Sequence, residues 1–149
     1  MEKDFYTELT ASIRNFSLPK YNEIPNVGLF LEQTSKYISD IIAPLPGITI
    51  TGSMISNYVK KKMIANPVKK QYDRDQIAYL LVIAIAKSVL SLEHIQVLFD
   101  LQKQVSNSQR AYEYFREMFE GLLFYVFGIK DTIADDDREP TRERIIMRN

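Results

Sequence analysis

The sequence predicts an all-α fold, and three observations predict it. Apolar residues recur at three- and four-residue spacing through most of the chain, which is the period of an amphipathic helix. The five Gly and six Pro are few enough to permit long helices, and most of the prolines stand where one periodic segment gives way to the next. Finally, Ile77, Ala78, Leu80, Leu81, Val82, Ile83, Ala84, Ile85 and Ala86 leave no polar face on their segment. A helix apolar on every side belongs at the centre of a fold.

Each element has its own justification. Phe5, Leu9, Ile13 and Phe16 form one stripe opposite a charged face, so residues 4–16 are expected to be helical and to cap the core or pair with a second subunit. Residues 17–25 hold two prolines and read as a connector. Asn26 is placed to N-cap the next helix, in which Val27, Phe30, Leu31, Thr34, Tyr37, Ile38, Ile41 and Ile42 keep the period. Ala43-Pro44-Leu45-Pro46-Gly47 ends it. Residues 48–50 are expected to be briefly extended. Thr51 or Ser53 then caps a short helix reaching about Lys62, with Ile55, Tyr58 and Val59 inside. Residues 63–67 turn the chain, and residues 68–72 form either one arm of a small hairpin or a loop.

Asp73 followed by Gln76 is a capping-box spacing ahead of the apolar helix from Arg74 to about Ser88. Ser91 caps another helix with Leu92, Ile95, Leu98, Phe99 and Leu101 inward. Asn107 or Ser108 starts the last, whose wide stripe runs through Ala111, Tyr112, Phe115, Met118, Phe119, Leu122, Leu123, Val126 and Phe127 to Gly128. This organisation gives one helical domain over residues 1–130 and a mobile charged tail over residues 131–149.

Composition narrows the function. With no Cys there is no disulfide, thiolate metal site or cysteine nucleophile. Residues 1–17 lack the basic start and apolar run of a signal peptide. The longest apolar run is about half of what a membrane span requires. A cytoplasmic protein without membrane association is expected. The single histidine, His94, has no carboxylate on its face at helical spacing. Asp135-Asp136-Asp137 lacks the glycine and the following glutamate of a calcium loop. No nucleophile–base pair, paired catalytic acids or Gly-rich phosphate loop can be assembled, so no enzyme activity, cofactor or metal is expected. The aromatic stripe of the last helix reads as core, with a ligand pocket or a dimer face as the alternative.

A net charge of zero conceals segregation. Between Ile41 and Tyr72 there is no Asp or Glu, yet the span holds Lys60, Lys61, Lys62, Lys69 and Lys70. Charges more than about 10 Å apart are largely screened at physiological salt, so a polyanion responds to this local field and not to the net charge. The outer face of the short helix, Ser53, Ser56, Asn57, Lys60 and Lys61, also lacks the Glu that a solvated helix normally mixes with Lys. Small polar groups near a helix start, followed by lysines, suit entry into a DNA major groove with flanking phosphate contacts.

Ile55-Ser56-Asn57-Tyr58-Val59-Lys60-Lys61-Lys62-Met63-Ile64, Gln71 to Ile77, and Leu90-Ser91-Leu92-Glu93-His94-Ile95 resemble, in order, three stretches of the mercury-resistance-regulator (MerR) type of winged helix-turn-helix protein. These are the recognition helix, the Tyr-led junction after the wing, and a Leu-Ser-Leu-Glu-Glu-Ile turn. The chain departs from that pattern at Ser56, where the family has Arg, at Lys62, where it has Gly, and at Lys69-Lys70, which replace a Gly-x-Arg wing.

Over residues 19–100 the chain resembles more closely a bacterial family catalogued as domain of unknown function 1836. The match rests on Ile24-Pro25-Asn26, Leu29 to Gln33, Ile50-Thr51, Met54 to Lys60, Pro67, Lys69 to Tyr72, Ile77 to Leu80 and Leu90-Ser91. The resemblances imply a winged helix-turn-helix core at about 26–100, with additional N- and C-terminal helices. Residues 27–42 would be the supporting helix and residues 53–62 the recognition helix.

The expectation is therefore a DNA-binding transcriptional regulator acting on double-stranded DNA as a homodimer. Ser53, Ser56, Asn57, Lys60 and Lys61 would lie in the major groove, with Lys69 and Lys70 at the flanking backbone. Tyr72 would be mainly core, its hydroxyl left for a phosphate. The sequence names no small-molecule effector. The alternative is a protein-interaction adaptor that retains the helix-turn-helix shape.

Overall fold

The structure, a computed structural model, describes residues 2–128; the expected tail over residues 131–149 lies outside them. The described residues are all-helical, with α1 (Glu2–Arg14), a 3-10 turn (Tyr21–Glu23), α2 (Leu31–Ile42), α3 (Gly52–Lys60), α4 (Arg74–Ala86), α5 (Leu92–Val105) and α6 (Ser108–Val126). Backbone pairing among them is confined to two isolated antiparallel bridges, Leu29 with Tyr72 and Val68 with Gln71. Residues 48–50 gain no partner strand. No helix of the described residues is long and apolar enough to cross a membrane.

Helix α4 is the centre, as its composition requires. Ile77, Leu80, Leu81, Ile83 and Ala84 are fully buried, and α2, α5 and α6 all pack against it. α3 reaches the core through α2, which it packs against with Ile55 and Tyr58 buried. α1 closes one side: Ile13 and Phe16 are buried, and the Phe16 ring meets Phe119 of α6 edge-on at 5.8 Å. Phe5, expected in that stripe, is 65% exposed, because α1 outruns the surface it covers.

The start of α4 organises the loops around it. Asp73 Oδ1 accepts from the Gln76 N–H at 2.9 Å and Gln76 Oε1 accepts from the Asp73 N–H at 2.7 Å, completing the capping box. Gln76 Nε2 donates to the carbonyls of Ala65 and Asn66 at 2.9 and 3.0 Å. Arg74 donates to the carbonyls of Ile24 and Asn22, and its guanidinium lies 5.5 Å from the centre of the Tyr21 ring. Tyr21 hydrogen-bonds Asp75. Burial first, then the hydrogen bond to this carboxylate, push the Tyr21 hydroxyl up to about 12.

Two expectations need correction here. Asn26 does not cap α2. Its Oδ1 accepts from the N–H of Arg74 at 3.2 Å, so it serves α4 across the fold. Nor does α2 begin at Val27, which is 82% exposed. Gly28 has φ +86°, outside any right-handed helix, and a Cβ there would stand 2.7 Å from the Gln71 side chain. Leu29 spends both backbone groups on Tyr72, at 3.0 and 2.8 Å. The helix therefore starts only at Leu31, with Gln33 Oε1 reaching back to the Phe30 N–H.

The inward faces of the last two helices are narrower than their stripes suggest. On α5, Ile95 and Phe99 are buried, whereas Leu98 and Leu101 are more than half exposed. On α6 Tyr112 is buried and Phe115, Phe119 and Leu123 are half-buried, as is Phe127 just beyond the helix, but Leu122 and Val126 face outward.

Gln76 carries the strongest prediction about stability. Gln76→Leu keeps the apolar surroundings but leaves the Asp73 N–H and the two loop carbonyls without their partner. Urea unfolding is expected to show a loss of about 2 kcal/mol.

Candidate nucleic-acid interface

Local chemistry builds the candidate surface in three pieces. The first is α3. Thr51 Oγ1 accepts from the Met54 N–H at 3.2 Å and starts the helix. Ile55 and Tyr58 anchor one side, which turns Ser53, Ser56, Asn57 and Lys60 to solvent on the other. The helix stops at Lys60, two residues before the sequence estimate. The Met63 N–H bonds the Tyr58 carbonyl and the Lys62 N–H bonds the Val59 carbonyl, both at 2.9 Å. This is a Schellman termination, in which the residue just beyond the helix is left-handed and usually Gly. Here it is Lys62, at φ +61°. Met63, buried like its C-terminal neighbour Ile64, then plugs the chain into the core.

The second piece is the turn over residues 68–71. The Val68 N–H bonds the Gln71 carbonyl at 3.1 Å and the Gln71 N–H returns to the Val68 carbonyl at 2.9 Å. Lys69 and Lys70 occupy the two central positions at φ +52° and +65°. Positive φ at both positions is the signature of a type I′ turn, which prefers Asn-Gly because a Cβ is crowded there. Among the described residues, the non-glycine residues with positive φ are Lys62, Lys69 and Lys70. Each carries an exposed cation where glycine or asparagine would be easier.

The third piece was not legible in sequence. Between α3 and the α4–α5 junction lies an open cleft of about 500 Å³, with Ser53, Asn57, Lys87 and Ser91 among its lining residues. Lys87 donates to the Tyr58 hydroxyl at 3.3 Å and approaches Met54 Sδ at 3.7 Å. Burial lowers its pKa below the ordinary lysine value. Lys87 is the one charged residue between Asp75 and Glu93, at the end of an apolar run far in sequence from the other lysines, so only the packing of α4 against the neighbourhood of Tyr58 reveals it beside the α3 face.

The expected site residues thus separate. Ser53, Ser56, Asn57 and Lys60 share the outer side of α3, with Lys61 exposed just beyond the helix and Lys69 and Lys70 at the tip of the turn. Tyr72 does not join them. It is 4% exposed, its backbone is paired with Leu29, and its ring belongs to the core. The connection between α2 and α3 spans residues 43–51, bent by Pro44, Pro46 and Gly47 at φ +79°. That is longer than the three- or four-residue turn of a helix-turn-helix.

The model of a family described as Domain of unknown function (DUF1836) matches the chain over residues 19–118. No curated protein and no solved structure matches it. The matched span holds α2 to α5, the whole basic segment and the first half of α6. α1 and the end of α6 lie outside it and touch each other, with Tyr6 stacked on Phe127 at 6.2 Å.

The left-handed lysines yield a prediction that reads stability alone. Lys69→Asn combined with Lys70→Gly puts the preferred pair into the type I′ turn. Thermal unfolding is expected to show a gain of about 1 kcal/mol. A loss would mean that the lysines stabilise the turn.

Proposed function

The chain belongs to the DUF1836 family, and from that premise we propose that it is a DNA-binding transcriptional regulator. In this reading it uses a winged helix-turn-helix-like arrangement of α2, α3 and the turn over residues 68–71. One observation carries the reading: five exposed lysines in a span without a carboxylate, three of them held in backbone conformations that favour glycine. Local strain retained together with charge points to a ligand that uses the charge.

The division of labour follows from chemistry. Ser53, Ser56 and Asn57 are short enough to bring the α3 backbone close to base edges, and an Asn can pair bidentately with adenine. Lys60 and Lys61 neutralise phosphates on either side of the groove, and Lys69 and Lys70 reach the flanking backbone. Lys87, across the cleft from Ser53 and Asn57, adds a further cation. Because α3 is short, two copies reading two half-sites would supply the specificity that one cannot.

A second reading, a protein-interaction adaptor of the same shape, is favoured by the exposed apolar side chains of α5 and α6. Recovery of one stoichiometric protein partner, with no DNA retained at low salt, would replace the first reading with this one.

Fluorescence anisotropy on random and genomic duplexes at several salt concentrations tests the proposal. Lys60→Ala with Lys61→Ala is expected to weaken binding to all sequences alike. It should also reduce the magnitude of the salt slope by about 2, since each released phosphate contact contributes about 0.9. Unchanged affinity and slope would overturn the reading. Asn57→Ala is expected instead to cost about 1–3 kcal/mol on preferred sites only.

A further inference from the structure

We infer that α5 and α6 present a face to a second copy of this chain, forming a two-fold dimer in which Gly121 of each copy receives a side chain of the other. The inference does not rest on DNA binding. It starts from how α5 and α6 sit: both pack on α4, and between them lies a groove of about 1180 Å³ lined mainly by apolar groups, floored by Ala78, Tyr79 and Val82. Around and beyond this groove Leu98, Leu101 and Val105 of α5 and Met118, Leu122 and Tyr125 of α6 are between 36 and 82% exposed.

At roughly 150 Å² for a fully exposed large side chain, these six leave on the order of 500 Å² of apolar surface in water. Monomeric proteins seldom expose contiguous apolar patches much beyond a few hundred Å². Two such faces brought together bury about 1,000 Å², which is where specific association begins.

The pattern on α6 fits a copy of itself. Met118, Leu122 and Tyr125 follow helical spacing with Gly121 among them. From Tyr114 to Tyr125 the charged residues are Arg116, Glu117 and Glu120. Arg116 is paired within its own helix with Glu113 and Glu120, Glu120 also accepts from the Leu18 N–H at 2.6 Å, and Glu117 lies at the edge of the face. Gly121 costs an exposed helix about 1 kcal/mol relative to Ala. A Cβ added there would meet nothing within 4 Å, so the described residues give no steric reason for glycine.

An antiparallel crossing of two α6 helices supplies that reason. With the two-fold axis between residues 119 and 120, Met118 of each copy meets Gly121 of the other, and Tyr114 of each meets Tyr125 of the other. A bulky flexible side chain opposite a glycine at the centre, with aromatic pairs outside, is the self-complementarity an isologous interface needs.

Sedimentation of the full chain tests this. The wild-type protein is expected at twice the 17.3 kDa chain mass. Gly121→Gln improves helix propensity, so it should fold at least as well, yet it is expected to weaken dimerisation at least about ten-fold, as is Leu122→Lys. Lys60→Ala with Lys61→Ala should leave the dimer intact, which separates this inference from the DNA reading. A wild-type monomer up to its solubility limit would overturn the proposal, as would a dimer indifferent to Gly121→Gln. A monomer destabilised by Leu122→Lys would overturn it in favour of residues 129–149 covering the face.

Discussion

Everything in this molecule answers to one constraint: from Ile77 to Ala86, α4 is apolar almost all round and needs cover on nearly every side. An ordinary surface helix needs cover on one stripe only. α2, α5 and α6 supply that cover, α3 joins through α2, and the chain that leaves α1 joins α6 where Phe16 meets Phe119. The hydrophobic gain of burying such a helix is independent of direction, so it explains compaction but not arrangement. Arrangement comes from polar groups at the start of α4.

At that end the chain turns hydrogen bonds into register. Gln76 uses its amide oxygen for its own cap and its amide nitrogen for two carbonyls of the loop that follows α3. Arg74 and Asn26 tie the connector before α2 to the same helix end. The basic turn is therefore held between two elements fixed to α4, and Met63, Ile64 and Tyr72 bury the chain on both sides of it. A turn whose backbone is held in this way loses less backbone freedom on meeting a polyanion than a free loop would.

Lys62, Lys69 and Lys70 are where local preference and retained sequence disagree. In a chain shaped by folding alone, those positions would carry glycine or asparagine. Such disagreements concentrate where function is paid for in stability. Gly121 is a disagreement of the opposite kind, a residue with too little side chain for a helix interior. The two sets lie on different elements: the lysines follow α3 and form the turn over residues 68–71, and Gly121 lies within α6.

What the sequence determined by itself was local or summed over one segment. The Asp73 and Ser91 caps, the Thr51 and Asn107 caps as one of two candidates each, the centrality of α4 and the acid-free lysine segment were legible because a cap is a contact over three residues and a helical period repeats within one element. Tertiary structure decided what needs a second element. Asn26 serves α4 because the chain returns to it 48 residues later. Lys87 reaches Tyr58 across a helix contact, and Leu98, Leu101 and Leu122 remain uncovered because no described segment lies over them. Periodicity tells which side of a helix is apolar. It carries no information about the partner that side will find, because that depends on where the other helices end.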